Sequence, residues 1–494
     1  MIRLKHGVLG TVTVLLLGCG SDSGSNETET GREAASGDDS CAPLTCETAA
    51  AQCGSLSDGC GGQLTCGNCS GTESCGGAGL ANRCSSGAGA VPPSTWAKTL
   101  GGVQNDSGSA VTADSDGNVY LAWTSIRRSI EGDAPPPTGG EQKEGFSISK
   151  FAPDGTLRWT KEFPGPEVSN VALKWTPGAL YLMGNAISNG GAIQLGGDDP
   201  LLEGFVVRYS PSGDFVSQKK LGAFVYSFDV DGSGNLIVST VQPPGGGEET
   251  YAEMKKLDES YNELWSKRSD IEGSAFTNVS FDPAGNILSA GSLGGPFTFN
   301  GQNYGATGSR GLVFLKLTGG GTTIWAREAR GAEIANLQSG RSAAGISVVL
   351  GSFNGTLTWG GSSQTTPPTG GDGTVQSGAF LITVEASGEE RWLRRVDCPP
   401  SQNATSNFGL AVDPVGQAVV SCGSKLFKYA LSGDLLWTRD LTTTGCSGAD
   451  CRELRLHKPG IGFDRAVLVA GEREVADPGA TTTHKDAVVF QEAP

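Results

Sequence analysis

The stretch Phe151-Ala-Pro-Asp-Gly-Thr-Leu-Arg-Trp159 decides the fold of this 494-residue chain. A strand-like run ends in an aromatic residue, turns through Asp-Gly, and resumes in a second strand that carries a tryptophan. Recurrence of such a phrase at a mean interval of about 57 residues indicates a repeat architecture. The aromatic position of the second strand recurs at Trp96, Trp159, Phe215, Trp265, Trp325, Trp392 and Trp437.

Each repeat also contains an earlier hairpin and a third strand. The hairpin turn is clearest at Asp114–Asn118, and Gly and Asn in it supply the positive φ that tight turns need. The turn recurs at Asp231–Asn235, Asp282–Asn286 and Asp413–Gln417, with degenerate forms at Thr176–Gly178, Ala343–Gly345 and Pro459–Gly462. The third strand recurs at Ile148, Val207, Met254, Phe314, Leu381, Leu426 and Val489.

The two ends of the repeat region are incomplete in a complementary way. The region starts with a lone tryptophan strand, Thr95 to Leu100, and ends with a third strand, Asp486 to Gln491, that no tryptophan strand follows. A ring in which these two strands pair in a shared last blade completes both and removes exposed sheet edges. The sequence therefore predicts an all-β fold: a seven-bladed β-propeller of four-stranded blades over residues 95–494.

Composition supports an exported β protein and excludes some functions. Glycine accounts for 76 residues and charged residues for 18%, which suits a chain with many tight connections. The net charge of −16 argues against a nucleic-acid partner, which requires clustered Lys and Arg. The chain has only three histidines and no catalytic set that stands out, so we expect a protein that is not an enzyme and has no cofactor or metal. We also expect a monomer.

The N-terminus predicts export and anchoring. A short basic region precedes an apolar run, Val8 to Leu17, that is too short to span a bilayer but typical of a signal peptide. Leu16-Leu17-Gly18-Cys19 resembles the bacterial lipoprotein lipobox, which implies that residues 1–18 are removed and Cys19 is acylated. The alternative is an ordinary signal peptide with an incidental cysteine. Residues 19–40 are small and polar, so we expect them to form a disordered tether. The protein is then expected to be an outer-membrane lipoprotein of the cell envelope, held to the membrane by its lipid.

The other twelve cysteines fall into two even groups, which in an exported protein predicts disulfides. Residues 41–84 form a cysteine-rich module with almost no apolar content, followed by a linker at 85–94. The sequence does not choose among the 105 pairings of eight cysteines. In the propeller we expect a local Cys446–Cys451 loop and a Cys398–Cys422 pair. The candidates are Cys41, Cys46, Cys53, Cys60, Cys66, Cys69, Cys75, Cys84, Cys398, Cys422, Cys446 and Cys451.

Several resemblances bear on function. Trp96-Ala-Lys-Thr-Leu-Gly-Gly102 followed by Asp114–Tyr120 resembles bacterial β-propeller repeats of surface lipoproteins, which implies a binding or scaffold role with a protein or glycan ligand. Ser432-Gly-Asp-Leu-Leu-Trp437 is similar to pyrroloquinoline-type propeller repeats, which implies a quinone-dependent oxidoreductase. The same Gly-x-x-x-Trp repeats build outer-membrane protein insertion scaffolds. The cysteine-rich module is similar to those of bacterial surface lipoproteins and weakly resembles hevein-type chitin-binding modules, which implies glycan or cell-wall binding.

Three kinds of candidate site remain. The long, variable loops on one rim predict a binding face there, unless they are merely tolerated insertions. The turns at Asp114–Asn118 and Asp229–Asn235 faintly resemble calcium loops, although plain turns need the same residues. The recurrent tryptophans are expected to anchor the sheets, whereas Trp123, Trp175 and Trp359 break the pattern and are candidates for contact surfaces. The four long loops are Glu131–Glu144, Asn185–Pro200, Gln242–Glu249 and Ser352–Ser377.

Overall fold

The computed structural model gives the chain an all-β fold. Its described residues contain strands and turns, and no helix among them is long and apolar enough to cross a membrane. The described residues are 45–46, 51–57, 63–70, 74–75, 84–85, 95–101, 105–125, 145–186, 191–242, 251–269, 276, 278–293, 296–305, 311–341, 345–366, 378–398, 408–444, 453–462, 465–476 and 483–492.

Seven blades of four antiparallel strands form a propeller ring, as predicted. In blades 1 to 6 the strands pair in chain order, so that the first strand lines the centre of the ring and the fourth lies at its outer edge. The strands of blade 1 are Ser107–Ala113, Val119–Ser125, Gly145–Phe151 and Leu157–Pro164; of blade 2, Val168–Thr176, Ala179–Ala186, Glu203–Tyr209 and Phe215–Lys220; of blade 3, Phe224–Val230, Leu236–Gln242, Tyr251–Leu257 and Glu263–Arg268; of blade 6, Phe408–Val412, Ala418–Cys422, Lys425–Tyr429 and Leu435–Asp440.

Blades 4 and 5 share one continuous strand. Thr323–Arg341 pairs in its first part with Gly311–Leu317 of blade 4 and in its last part with Ser347–Trp359 of blade 5. The two blades thereby form one eight-stranded sheet. The other strands are Asn278–Phe281 and Ile287–Leu293 in blade 4, and Gly378–Val384 and Glu390–Val396 in blade 5.

Two of the connections in these blades form hairpins. Phe297–Phe299 pairs with Gln302–Tyr304, and the extended Ser347–Trp359 strand pairs with Ser362–Thr365. The second hairpin corrects the prediction of one long loop at Ser352–Ser377. Its last strand residue, Trp359, is only 1% exposed, and Trp123 of blade 1 is likewise 1% exposed, so neither tryptophan forms the contact surface that its irregular position suggested.

Blade 7 closes the ring in the predicted way. Its first three strands come from the C-terminal part of the chain, and its outer strand is the N-terminal Trp96–Leu100. Val489 lies opposite Lys98, and Gln491 lies opposite Trp96. The C-terminal strands are Leu454–Ile461, Val467–Ala476 and Thr483–Glu492.

Burial explains the strand sequences. The middle strands of a blade are covered by neighbouring blades on both faces, so they are nearly continuous apolar runs, as in Ala179–Ala186 and Gly311–Leu317, in which every residue is buried. Outer strands such as Glu263–Arg268 alternate between half-buried and exposed residues. The hydrophobic clusters accordingly lie between adjacent blades. One such cluster joins Tyr120 of blade 1 to Leu180 of blade 2.

Five of the recurrent tryptophans each connect their blade to the next. A Cβ added to the glycine in the third-to-fourth turn of the following blade would lie between 2.8 and 3.3 Å from the indole ring, so only glycine permits this packing. The indole Nε1 also donates to a carbonyl of that turn, for example from Trp325 to Ala386 O at 3.1 Å. The pairs are Trp96 with Gly155, Trp159 with Gly213, Trp265 with Gly321, Trp325 with Gly388 and Trp392 with Gly433.

Seven of the described cysteines form disulfides. Cys46 bonds to Cys66 and Cys69 to Cys84, in a region whose short strands pair Ser55–Ser57 with Gln63–Thr65 and Ser74–Cys75 with Cys84–Ser85. Cys398, just after blade 5, bonds to Cys422 at the end of the second strand of blade 6, which is the pairing the sequence favoured. Cys53 is also disulfide-bonded. Cys19, Cys41, Cys60, Cys446 and Cys451 lie outside the described residues.

Candidate ligand site in the central channel

The first strands of all seven blades surround a cavity of about 650 Å³ in the centre of the ring. Its lining includes residues of the first-to-second turns, so the cavity lies at the short-turn end of the channel. This end is opposite to the rim that loop length favoured. Of the long loops, Glu131–Glu144 lies outside the described residues, as do residues 243–249 and 367–377 of two others. The lining residues used below are Lys174, Trp175, Asp229, Ser280, Gln338 and Lys458.

Side chains that bridge neighbouring inner strands hold the channel open at a fixed width. Gln338 of blade 5 donates from Nε2 to Phe408 O at 2.6 Å and accepts from Leu410 N at 2.9 Å, both in blade 6. Asn170 of blade 2 donates to Val225 O of blade 3 at 2.6 Å. Because these side chains bond to backbone atoms of the next blade, the walls of the cavity are preformed.

One wall carries an ion pair whose carboxylate is buried. Lys174 Nζ of blade 2 lies 2.7 Å from Asp229 Oδ1 of blade 3, and the Asp229 side chain is 6% exposed. The other carboxylate oxygen of Asp229 accepts from Phe281 N of blade 4 at 2.9 Å. The carboxylate thus connects three blades and neutralises the lysine beside it, which is how a buried charge is normally accommodated.

Lys458 differs from Lys174 in lacking such a partner. It lies in the inner strand of blade 7 and contributes to the cavity wall. Burial lowers the pKa of its amine. The side chain keeps some accessible surface because it faces the channel, yet protein surrounds it on all sides, and this explains the lowered pKa. Among the residues that the structure describes, none forms an ion pair or a hydrogen bond with the Lys458 amine.

Apolar groups and uncharged polar side chains complete the lining. Trp175 is half-buried in the wall and stacks on Tyr120 with ring centroids 5.5 Å apart and an interplanar angle of 16°. Of the three irregular tryptophans, it alone lines the described cavity and remains a candidate contact residue. The cavity therefore combines a preformed apolar surface with a small number of charged groups, which is typical of small-molecule sites.

The Asp-Gly-Asn turns use their carboxylates internally. Asp114 Oδ1 accepts from the backbone N of Asp116 and of Asn118, at 3.0 and 2.8 Å, and Lys150 lies 3.3 Å from Oδ2. Asp231 accepts from Ser233 N and Asn235 N in the same way. These are the bonds that a plain turn needs, so the turn interpretation accounts for the aspartates.

A cluster of three sulfurs in the cysteine-rich region has metal-like spacing. The Sγ atoms of Cys53, Cys69 and Cys84 lie within 4.8 Å of one another. Cys69 and Cys84 are bonded to each other, and Cys53 is disulfide-bonded as well. Because metals bind cysteine as thiolate, this oxidised cluster is a set of disulfide staples.

Comparison with known proteins gives similarity of fold alone. No protein-family model and no curated protein matches the chain. Matching solved structures include an apocarotenoid oxygenase mutant from Synechocystis, with 12% identity, a TM-score of 0.37 and coverage of 80% of this chain and 93% of that one. A gluconolactonase from Xanthomonas campestris matches with 13% identity, a TM-score of 0.31 and coverage of 64% and 82%. A protein of unknown function from Bacteroides caccae matches with 12% identity, a TM-score of 0.32 and coverage of 54% and 78%.

Sequence reasoning missed the channel site. The lysines and Asp229 that line it come from different repeats, and nothing in the spacing of a single repeat brings them together. One signal was present: Lys458 carries a charge at an inner-strand position where blades 1 and 6 have Ala110 and Gly409. A charge at that position of a repeat indicates a functional group or a strand irregularity.

Proposed function

We propose that this protein is a non-enzymatic lipoprotein of the cell envelope whose propeller binds a small molecule in its central channel. The observation that carries the proposal is the cavity of about 650 Å³ to which all seven blades contribute. Ligand pockets of this size hold drug-sized molecules and are usually preformed. The inner-strand bridges made by Gln338 and Asn170 provide that preformation.

The anchoring part of the proposal concerns Cys19. The basic region, the apolar run and the lipobox-like Leu16–Cys19 support export and acylation, and two or more acyl chains are enough for stable membrane attachment. A palmitate analogue supplied to growing cells should label the wild type and leave Cys19→Ser unlabelled. Persistent label on Cys19→Ser would overturn the lipid assignment.

The channel is tested by filling it. We expect that Ser280→Trp, which places an indole in the wall of the cavity, abolishes the stabilisation that any small-molecule ligand gives in a thermal-shift screen of the lipid-free Cys19→Ser protein. Ser266→Trp is the matched control, because Ser266 is exposed on the outer strand of blade 3. It should leave ligand binding unchanged.

Two results would contradict the channel proposal. Ligands that stabilise the Ser280→Trp protein as much as the parent bind elsewhere. A metabolite screen that stabilises neither the parent nor the Ser266→Trp protein, while the protein captures a macromolecule from envelope extracts, would assign the binding surface to the outside of the ring.

A further inference from the structure

The inner strand of blade 7 is bulged at Lys458. Leu456 pairs with Gly471 and Pro459 pairs with Val469, so two residues, His457 and Lys458, occupy the space of one in the ladder. A β-bulge bends the strand and changes the direction of the side chains within it. At this position the bulge interrupts the regular pairing of the strand and places Lys458 in the cavity wall.

The charges that face Lys458 do not balance it. The channel contains two other ionic groups near its wall, Lys174 and Asp229, and these neutralise each other at 2.7 Å. Asp114 at the mouth of the channel is bonded within its own turn and to Lys150. The channel therefore carries about one uncompensated positive charge when Lys458 is protonated, inside a protein of net charge −16.

An ammonium surrounded by protein without a counterion is unfavourable, and a bound anion relieves that cost. The anion should carry a single charge, because only one cation is uncompensated and Asp229 would repel a second negative group across the channel. More than half of the other lining residues are apolar, Trp175 and Leu410 among them, and the remaining polar ones are uncharged Ser, Asn and Gln side chains. A ligand that fits this arrangement has one carboxylate and an apolar body.

We infer that Lys458 anchors the carboxylate of a small organic monoanion whose apolar body occupies the central channel. This inference rests on the proposed small-molecule function of the channel and adds the chemical class of the ligand. Lys458 acts as the charged anchor and Trp175 as part of the surface that contacts the body.

Benzoate is a suitable probe, because it combines one carboxylate with a flat apolar body, and benzyl alcohol is its neutral counterpart. With 20 mM benzoate at pH 7 we expect the melting temperature of the lipid-free Cys19→Ser protein to rise by about 1–2 °C, as linkage predicts for a ligand present at several times its Kd. Benzyl alcohol should give no rise. Lys458→Met, which keeps the length of the side chain, should abolish the benzoate shift, whereas Lys219→Met on the outer strand of blade 2 should keep it.

A second readout does not depend on any variant. Because the pKa of Lys458 is lowered in the empty channel, a bound carboxylate raises it, and benzoate binding takes up protons at alkaline pH. Calorimetry in two buffers of different ionisation enthalpy measures this uptake, and the affinity should fall as the pH rises. Binding to an apolar wall alone would show neither effect.

The outcomes separate this inference from the proposed function. Equal benzoate shifts in Lys458→Met and its parent, both abolished by Ser280→Trp, would overturn the role of Lys458 and leave the channel as the binding site. No benzoate-linked shift and no proton uptake in the parent would overturn the carboxylate assignment. A shift that survives in Ser280→Trp would contradict the channel proposal itself.

Discussion

At the scale of single residues, the contact between a tryptophan and a glycine of the next blade is the unit from which the ring is built. The interface of blades 2 and 3 departs from it, because Phe215 of blade 2 stands in the tryptophan position and Tyr261 of blade 3 stands in the glycine position. Tyr261 keeps the left-handed backbone of the glycines, with φ of 65°, and its hydroxyl lies 3.2 Å from Ser217 Oγ. The smaller ring of Phe215 in blade 2 thus accompanies the side chain of Tyr261 in blade 3, which indicates that the tryptophan and glycine positions are coupled.

We expect Gly388→Ala to destabilise the protein by about 2–4 kcal/mol, since it combines strain at a positive φ with overpacking against an indole. Gly388 has φ of 89°, and its added Cβ would lie 2.8 Å from Trp325 Cδ2. Gly285→Ala is the matched control: Gly285 has φ of 78° and no atom within 4 Å of an added Cβ, so the substitution should cost only the backbone strain of about 1–2 kcal/mol. Urea unfolding of the three proteins measures both values.

A double variant tests the coupling directly. Trp325→Phe reproduces the smaller ring found at Phe215, and it should recover part of the stability lost in Gly388→Ala. If the losses of stability in the two single variants simply add in the double variant, the methyl group introduced by Gly388→Ala does not collide with the indole of Trp325.

At the scale of strands and turns, the sequence predicts most of the fold because turn chemistry is local. The Asp-x-x-Gly-Asn and Pro-Asp-Gly turns need their own residues to form, so they are visible without knowledge of the neighbouring blade. The turn expected at Pro459–Gly462 is wrong for the opposite reason. There Pro459 and Gly460 continue the strand opposite Val469 and Leu468, and the turn runs from Gly462 to Ala466.

The reason for that error is a contact between blades. A Cβ on Gly460 would lie 2.9 Å from the carbonyl oxygen of Val111 in blade 1, so the glycine permits close approach of two strands and does not mark a turn. The pairing of Lys174 with Asp229 escaped prediction for the same cause, because it depends on which blades are adjacent in the ring and a single repeat contains no record of its neighbour. The bulge at Lys458 differs, since interrupted pairing recurs in the inner strands of blades 1, 2, 3 and 5 and is therefore a feature of the repeat.

At the scale of the whole molecule, ring closure was predictable from the two unmatched strands, but the charges at the seam were not. Asp486 immediately precedes the Ala487–Leu100 pair that joins the two ends of the domain. Its Oδ1 lies 3.3 Å from His484 Nε2 and 2.8 Å from the place where a Cβ of Gly101 would be. The carboxylate of Asp106, which is 1% exposed, lies 2.5 Å from the same point. Two carboxylates therefore face each other across the seam.

Burial at this seam raises the pKa of Asp486 to about 6, although His484 acts in the opposite direction. A carboxyl whose pKa is higher in the folded than in the unfolded protein stabilises the fold fully below the unfolded value, near pH 4. This contribution is lost as the pH rises through about 6. Ionised Asp486 should therefore lower the stability of the closed ring by on the order of 1–3 kcal/mol at pH 7 and above.

Asp486→Asn keeps the shape of the side chain and removes its titration. We expect this variant to melt at a higher temperature than the wild type at pH 7.5 and at a similar temperature at pH 4, so that the fall in stability between pH 4 and 6.5 becomes shallower. Asp397→Asn is the control, because the Asp397 side chain is 87% exposed and should leave the pH profile unchanged. If Asp486→Asn and the wild type lose stability in parallel over this range, the two ends of the ring are not sensitive to the charge of Asp486. The pH dependence must then arise at another of the buried carboxylates, and Asp106, on the other side of the same seam, is the first to substitute.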